Sequence, residues 1–449
     1  MGRLFGTDGI RGVAGEPPLD AATVFAVGRA LGESLREQGA SGKVLLGEDT
    51  RESSPQITRY LAGGLRAAGV EAVAAGVLPT PAIARLTRAR SFAAGAMVSA
   101  SHNPYRDNGI KLIGATGMKL PDETEAQLEE RIRALVAGRL NPQPVAPPVD
   151  MSLAGDYLEA LRQATPANLW EDFQGLHLVV DCANGAACRV APKLFRSLGC
   201  GVTAIHASPD GKNINQNCGA LHPETLAAKV TQVRAPLGVA FDGDADRAIF
   251  VAGSGRIVNG DGVLLACARW MKEKKLLKGG CVVGTAMANL GLEIALKQDG
   301  LPLLRTAVGD RYVLEEMLTR RANLGGEQSG HIIFLDDSPA GDGLLTALKV
   351  LTILVERDTT LDALVADLKI FPQTLKNIRV REKRPLEELP GVEQAIREAT
   401  AALGEHGRVL VRYSGTEPLL RVMVEAETEA DVRRWTDHIS RAVEAALGN

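Results

Sequence analysis

Short apolar runs recur along this chain, and the pattern after each of them repeats. Each leads into a turn of small residues, then a stretch with apolar positions at helical spacing, then a glycine, then a second apolar run. The first copy opens at Val44-Leu-Leu-Gly47, continues through Ala62 and Leu65 to Gly69, and closes with VEAVAAG. The second opens at Leu178-Val-Val-Asp181, runs through Leu194 and Leu198 to Gly199, and closes with VTAIHA. The third opens at Val282-Val-Gly284, runs through Leu292 and Leu296 to Gly300, and closes with LPLLRTAVG. Period-3.6 stretches stopped by glycine predict helices, and the runs between them predict strands of mostly parallel α/β domains. The copies lie about 100–130 residues apart, well beyond a solenoid period, so they predict three related domains.

The segment after the third copy differs. Val409 to Tyr413 and Leu419 to Val424 read as strands around a short loop, and a helix from about Thr428 places Val432, Trp435, Ile439 and Val443 on one face. Punctuation agrees with four parts. LNPQPVAPPV at 140–149 is a stiff proline connector, Gly253-Ser-Gly255 a tight hairpin, and Ile370-Phe-Pro-Gln373 a third break. The expected division is 1–150, 151–255, 256–370 and 371–449: three related mixed α/β sandwich domains and a smaller C-terminal α+β domain. A chain of 449 residues is too long for one core, which fits.

Composition narrows the function by exclusion. A net charge of −3 leaves no electrostatic footprint for nucleic acid or an acidic membrane. The start MGRLFGTDGIRG has no apolar signal region, and Lys349 interrupts the longest apolar run, so no membrane span is expected. The six cysteines form no C-x-x-C pair, which predicts reduced thiols in a cytoplasmic protein and no zinc site.

Chemistry concentrates at strand ends. The run Phe92 to Val98 leads into Ser99-Ala-Ser-His-Asn-Pro104, where Asn-Pro ends regular structure and leaves Ser101 on a loop past a strand end. A serine there can be a nucleophile or carry a phosphate; as an ordinary turn residue it would only satisfy its own backbone. The run Leu237 to Phe241 leads into Asp242-Gly-Asp244-Ala-Asp246-Arg247. In an extended chain the three carboxylates point one way and repel, unless water screens them or a hard cation such as Mg²⁺ joins them. A calcium EF-hand fails, because its sixth position is Arg247 and its twelfth Gly253.

Arg412-Tyr-Ser414-Gly-Thr416-Glu-Pro418, with Arg421 behind it, offers hydroxyls, backbone N–H groups and two guanidinium groups to an anion. Gly325-Gly-Glu327-Gln-Ser329-Gly-His331 lets the backbone approach a ligand, with Glu327 and Ser329 for sugar hydroxyls and His331 for proton movement or phosphate. Lys111, in Asp107-Asn-Gly-Ile-Lys111, can neutralise phosphate or act as acid or base, and Arg11, in Phe5-Gly-Thr-Asp-Gly-Ile-Arg-Gly12, is a phosphate candidate. The histidines at 177, 206, 222, 406 and 438 stand outside these constellations and read as structural or exposed. A loaded serine, a cation and a second anion site together suit phosphoryl transfer to a phosphosugar.

With its motifs in this order (FGTDGIRG, SASHNP, NGIK, DGDADR, GEQSGH, RYSGTEP), the chain resembles the α-D-phosphohexomutase superfamily over its whole length. Gln328 and Val308-Gly-Asp-Arg-Tyr312 make it most similar to the bacterial phosphoglucosamine mutase branch. The resemblance implies four domains around a central cleft and interconversion of glucosamine 6-phosphate and glucosamine 1-phosphate, feeding UDP-N-acetylglucosamine synthesis. The alternative is the same chemistry as a phosphomannomutase/phosphoglucomutase. It implies a phosphoserine at Ser101 and one Mg²⁺ held by Asp242, Asp244, Asp246 and a phosphoserine oxygen. Glu327 and Ser329 would bind sugar hydroxyls, and Arg412, Ser414, Gly415, Thr416 and Arg421 the substrate's own phosphate. Lys111 and His331 would be acid/base helpers, supported by Arg11 and Arg247. Glucosamine or glucose 1,6-bisphosphate is the candidate activator, and the enzyme would work as a monomer or homodimer.

Overall fold

The computed structural model describes residues 3–6, 8–414 and 418–448. The chain divides into two compact units, one of residues 1–287 with 304–366 and one of 288–303 with 367–449.

The first unit holds three sheets. In the first, β1 (Ile10–Val13), β2 (Val44–Glu48), β3 (Ala72–Val77), β4 (Ala94–Val98) and β5 (Asp107–Gly114) lie in the order β1-β5-β4-β2-β3. In the second, β6 (His177–Asp181), β7 (Gly201–Ile205), β8 (Leu237–Phe241), β9 (Ala248–Ala252) and β10 (Ile257–Val258) lie in the order β10-β9-β8-β6-β7. In the third, β11 (Val282–Thr285), β12 (Leu303–Thr306), β13 (Leu324–Gly326) and β14 (Ile332–Phe334) lie in the order β12-β11-β13-β14. The three copies seen in the sequence thus share one four-strand core, to which β1 is added from before the copy in the first sheet and β10 from after it in the second.

The sheets are mixed rather than mostly parallel. β2 pairs in parallel with β3 and β4, but β4 pairs antiparallel with β5 and β5 with β1. The second sheet repeats this, with β6 parallel to β7 and β8 and β8 antiparallel to β9. In the third, β11 is parallel to β13 and β13 antiparallel to β14. The reason is loop length: the segments after β4, β8 and β13 are too short to cross over to a parallel partner, so the chain can only turn back. These three return loops hold Ser101, the aspartates and Glu327. The strands before them are wholly buried, which anchors each loop at its root.

The second unit is built on an antiparallel sheet, β15 (Gln373–Arg379), β16 (Gly407–Tyr413) and β17 (Leu419–Ala426), in the order β15-β17-β16. Helices Pro390–Leu403 and Glu429–Leu447 contribute Val392, Ala399, Val432, Ile439 and Val443 to its core. Thr428 caps the second helix through a hydrogen bond from the Asp431 N–H. Among the described residues, no helix is long and apolar enough to cross a membrane.

Candidate active site

Ser101 has φ +51°, a left-handed conformation that serine rarely adopts. Its N–H donates to Ser99 Oγ at 2.9 Å. Its carbonyl accepts from Arg51 at 3.1 Å and from Asn215 Nδ2 at 2.8 Å. Both donors also reach the Asn103 carbonyl, and Arg51 is itself buried against Asp49. This clamp holds a strained backbone that the loop alone would not keep. It aims Ser101 Oγ at Asp242 Oδ2, to which it donates at 2.6 Å, while His102 Nδ1 lies 3.3 Å away. Gly243 is required here, since a Cβ on it would collide with the Ser101 carbonyl oxygen.

The aspartate segment is a turn and not an extended run. The Ala245 N–H donates to the Asp242 carbonyl at 3.1 Å, and Ala245 has φ +56°. It is the turn that brings Asp242, Asp244 and Asp246 together, one carboxylate oxygen of each within 4.8 Å of the others. All three are buried. Lys111, on β5, reaches across to Asp244 Oδ2 at 2.9 Å and to Asp246 Oδ2 at 3.5 Å, and Thr80 Oγ1 donates to Asp244 Oδ2 at 2.5 Å. Arg247 donates its N–H to Asp242 Oδ1 at 3.2 Å and faces Asp246 with its guanidinium at 3.8 Å.

Electrostatics follow from this crowding. Burial, then Asp246 and Asp244, push the Asp242 carboxyl well above its ordinary range. Burial also works against charge on Asp246, but Lys111, His331 and Arg247 outweigh it and hold that carboxyl down. Burial disfavours the Lys111 ammonium, yet Asp244, Asp8 and Asp246 keep its pKa well above the ordinary value. His331 is likewise opposed by burial and raised by Asp246, Asp310 and Glu327 to about 9. When the ring is neutral, the Gly341 N–H donates to Nε2 at 3.1 Å and leaves the Nδ1 proton facing Asp246 at 3.7 Å. His102 is pushed down to about 4 by burial, with Arg247 and Arg11 adding to it.

The triad fits a hard divalent cation. Asp244 Oδ1 and Asp246 Oδ1 are buried and meet no hydrogen-bond donor among the described residues, although buried carboxylate oxygens are ordinarily satisfied. An all-oxygen set with orphaned anionic atoms is what Mg²⁺ or Ca²⁺ takes.

Beside it opens a cleft of about 460 Å³ bordered by Arg11, His102, Arg247, Glu327, Ser329 and His331. Glu327 accepts from the Gly309 N–H at 3.2 Å, and Gly330, with φ +93°, closes the turn. The buried Ser329 hydroxyl meets no hydrogen-bond partner among the described residues. A larger cavity of about 710 Å³, bordered by Leu169, Leu351, Lys274 and Glu356, contains none of these residues.

In the second unit, Arg412 on β16 stands opposite Arg421 on β17. Arg421 reaches Ser414 Oγ at 3.4 Å, and Lys383 donates to the Ser414 carbonyl at 2.6 Å. Burial and the neighbouring Arg421 lower the Arg412 pKa. Gly415 and Thr416 lie outside the described residues.

Profiles of phosphoglucomutase/phosphomannomutase α/β/α domains I, II and III and of the C-terminal domain match residues 2–137, 155–255, 259–371 and 375–442. The chain belongs to the phosphoglucomutase/phosphomannomutase family. Within that family it is similar to the phosphoglucosamine mutase of Koribacter versatilis, with 52% identity covering 99% of this chain and 97% of that one. A phosphoglucomutase/phosphomannomutase family protein of Burkholderia thailandensis has a similar solved structure, at TM-score 0.79 and 28% identity over 100% of this chain and 99% of that one. The fold is also that of Aspergillus fumigatus N-acetylphosphoglucosamine mutase, at TM-score 0.67 and 20% identity over 99% and 96%; that structure is a complex with GlcNAc-6P and magnesium.

The motifs of the family that the sequence displays account for Ser101, the triad, Arg11, Lys111, Arg247, Glu327, Ser329 and His331, which the first unit brings to one place. Three further charged residues join them without being marked by the motif reading. Lys119 bridges Asp8 at 2.9 Å and Asp310 at 2.8 Å, and Asp310 faces His331 Nε2 at 3.8 Å. Asp8 and Asp310 lie inside the FGTDGIRG and VGDRY motifs, so a signal existed; Lys119 had none. His206, read as structural or exposed, pairs with the buried Asp181 at 2.9 Å.

Proposed function

We propose that this chain interconverts glucosamine 6-phosphate and glucosamine 1-phosphate through a phosphoryl group carried on Ser101. The observation that carries this reading is Ser101 Oγ, clamped in a strained loop and aimed at a buried triad in which Asp244 Oδ1 and Asp246 Oδ1 have no hydrogen-bond partner among the described residues. Asp242, Asp244 and Asp246, with an oxygen of the loaded serine, would hold one Mg²⁺, the ion named with the Aspergillus fumigatus relative. That ion, when bound, shares the charge of the transferring phosphoryl group.

The rest falls to the chain itself. The Arg51–Asn215 clamp orients Ser101 Oγ for in-line transfer. Lys111, Arg247 and Arg11 offset charge around the cleft, and Glu327 and Ser329 take sugar hydroxyls. Lys111 and His331, both protonated at neutral pH, are assigned the acid/base help: a proton that one of them gives to Ser101 Oγ as phosphorus leaves is replaced by the one the accepting hydroxyl releases. Arg412, Ser414, Gly415, Thr416 and Arg421 are assigned the substrate's own phosphate. The bond from phosphorus to Ser101 Oγ breaks as one forms to the sugar oxygen. The resulting 1,6-bisphosphate turns end for end, and its other phosphate returns to Ser101. The boundaries near 150, 255 and 370 belong to this reading. So do a cytoplasmic location, in keeping with six free thiols, and a monomer or homodimer.

The test is ³¹P NMR with Mg²⁺ and a trace of hexose 1,6-bisphosphate, supplying glucosamine, mannose or glucose 6-phosphate in separate tubes. Formation of the 1-phosphate fastest from the glucosamine compound, and its loss in Ser101→Ala, are expected. Faster turnover of mannose or glucose would reassign the sugar. Steady release of inorganic phosphate without a 1-phosphate would replace the mutase with a phosphatase.

A further inference from the structure

The cysteine spacing gave no sign of a soft-metal site, but the fold assembles one from three segments. Asp181 ends β6, His206 follows β7, and Cys218 precedes the helical turn Gly219–Leu221. One ligand atom from each lies within 4.8 Å of the other two. Asp181 Oδ2 accepts from His206 Nδ1 at 2.9 Å and from the Gly219 N–H at 3.0 Å, and Oδ1 accepts from the Ala183 N–H at 2.9 Å. Asp181 and Cys218 are buried, whereas the His206 side chain keeps 31% of its surface, leaving one side open to solvent.

We propose that Asp181, His206 and Cys218 form a second cation site, for a borderline-soft divalent ion of the zinc class, separate from the Asp242 triad. The donor set decides the ion: oxygen, imidazole nitrogen and sulfur suit Zn²⁺ and do not suit Mg²⁺. The ion takes the place of the proton shared by His206 and Asp181. It bonds His206 Nδ1, Asp181 Oδ2 and Cys218 Sγ; the imidazole keeps one proton on Nε2, and the thiol proton goes to solvent. Donor separations around tetrahedral zinc are about 3.3–3.7 Å, a spacing that three atoms already gathered this closely can reach. The Gly219 and Ala183 N–H groups already fix the carboxylate as outer-shell donors do. The fourth position faces the open side of His206 and takes water.

The site has a route to the phosphoryl chemistry. Asn215, in the same loop as Cys218, donates its N–H to the Ala183 carbonyl at 2.9 Å and its side-chain amide to the Ser101 carbonyl. A metal-held Cys218 would thus lie three residues from one of the two side-chain donors on Ser101.

The test titrates Co²⁺, as a spectroscopic probe, into the full chain held in saturating Mg²⁺. A thiolate-to-cobalt charge-transfer band is expected, discharged by one equivalent of Zn²⁺. Cys218→Ser should remove the band and weaken Zn²⁺ binding by at least about tenfold. His206→Gln should do the same and carries the test if the cysteine variant does not fold. Cys188→Ser and Asp244→Asn should keep the band. Its absence from the wild-type chain, or its survival in Cys218→Ser, overturns the proposal.

Discussion

Lys111 is a buried ammonium facing carboxylates from two other segments, Asp8 at 3.3 Å and Asp244 at 2.9 Å. Removing one side of such an arrangement leaves buried charge uncompensated, which costs more than the pair was worth. Lys111→Met, which keeps the length and loses the charge, should lower unfolding free energy by roughly 3–5 kcal/mol in urea melts. It should also lower turnover. A loss below about 1 kcal/mol would mean that the carboxylates take up protons or water instead. The sequence disclosed Lys111 because NGIK follows the serine loop closely. It did not disclose Lys119, whose partners Asp8 and Asp310 lie 111 and 191 residues away. Asn215 escaped for the same reason: it reaches a carbonyl 114 residues back, and no local pattern marks such a contact.

Between residue and domain, the helix Gly343–Glu356 shows how one cap ties elements together. Asp342 accepts from the Leu344 and Leu345 N–H groups at 3.0 Å and from the Tyr157 hydroxyl, on another helix, at 3.0 Å. Burial, only partly offset by these donors, raises the Asp342 carboxyl to about 6. The folded chain therefore holds a proton that the unfolded chain releases near pH 4. Stability from this group is full below about pH 4 and falls as pH rises through 6. The difference between wild type and Asp342→Asn in melts from pH 4 to 7 should change by on the order of 3 kcal/mol. A constant difference would refute the assignment. At this scale the sequence was readable wherever periodicity decides. Strands and glycine-stopped helices fell where expected, since burial sets their pattern. Two expectations failed where tertiary geometry decides instead: the sheets are mixed, and the aspartates converge through a turn.

At the scale of the whole chain, the three sheets present their chemistry at one equivalent place, the loop after the last parallel strand. On the proposed reading, a cation held by the second of these loops and Ser101 in the first would link two sheets, so metal should stabilise the entire first unit. Mg²⁺ at a hundred times its Kd should add about 2.7 kcal/mol and raise the melting temperature. A chelator should reverse that gain and abolish turnover. Asp244→Asn should be blind to Mg²⁺ in the same calorimetric scan, and an unchanged response would place the ion elsewhere.

The shared site also dictates when this protein becomes itself. Lys111 sits in the first sheet, but Asp244 and Asp246 are made more than a hundred residues later. At ordinary ribosomal speeds that gap lasts about seven to twenty-seven seconds. For that interval the nascent first domain carries an ammonium whose chief counter-charges do not yet exist, and Ser101 has no aspartate to face. The chain can therefore shape its early domain during translation, but its chemistry waits for the later ones to emerge.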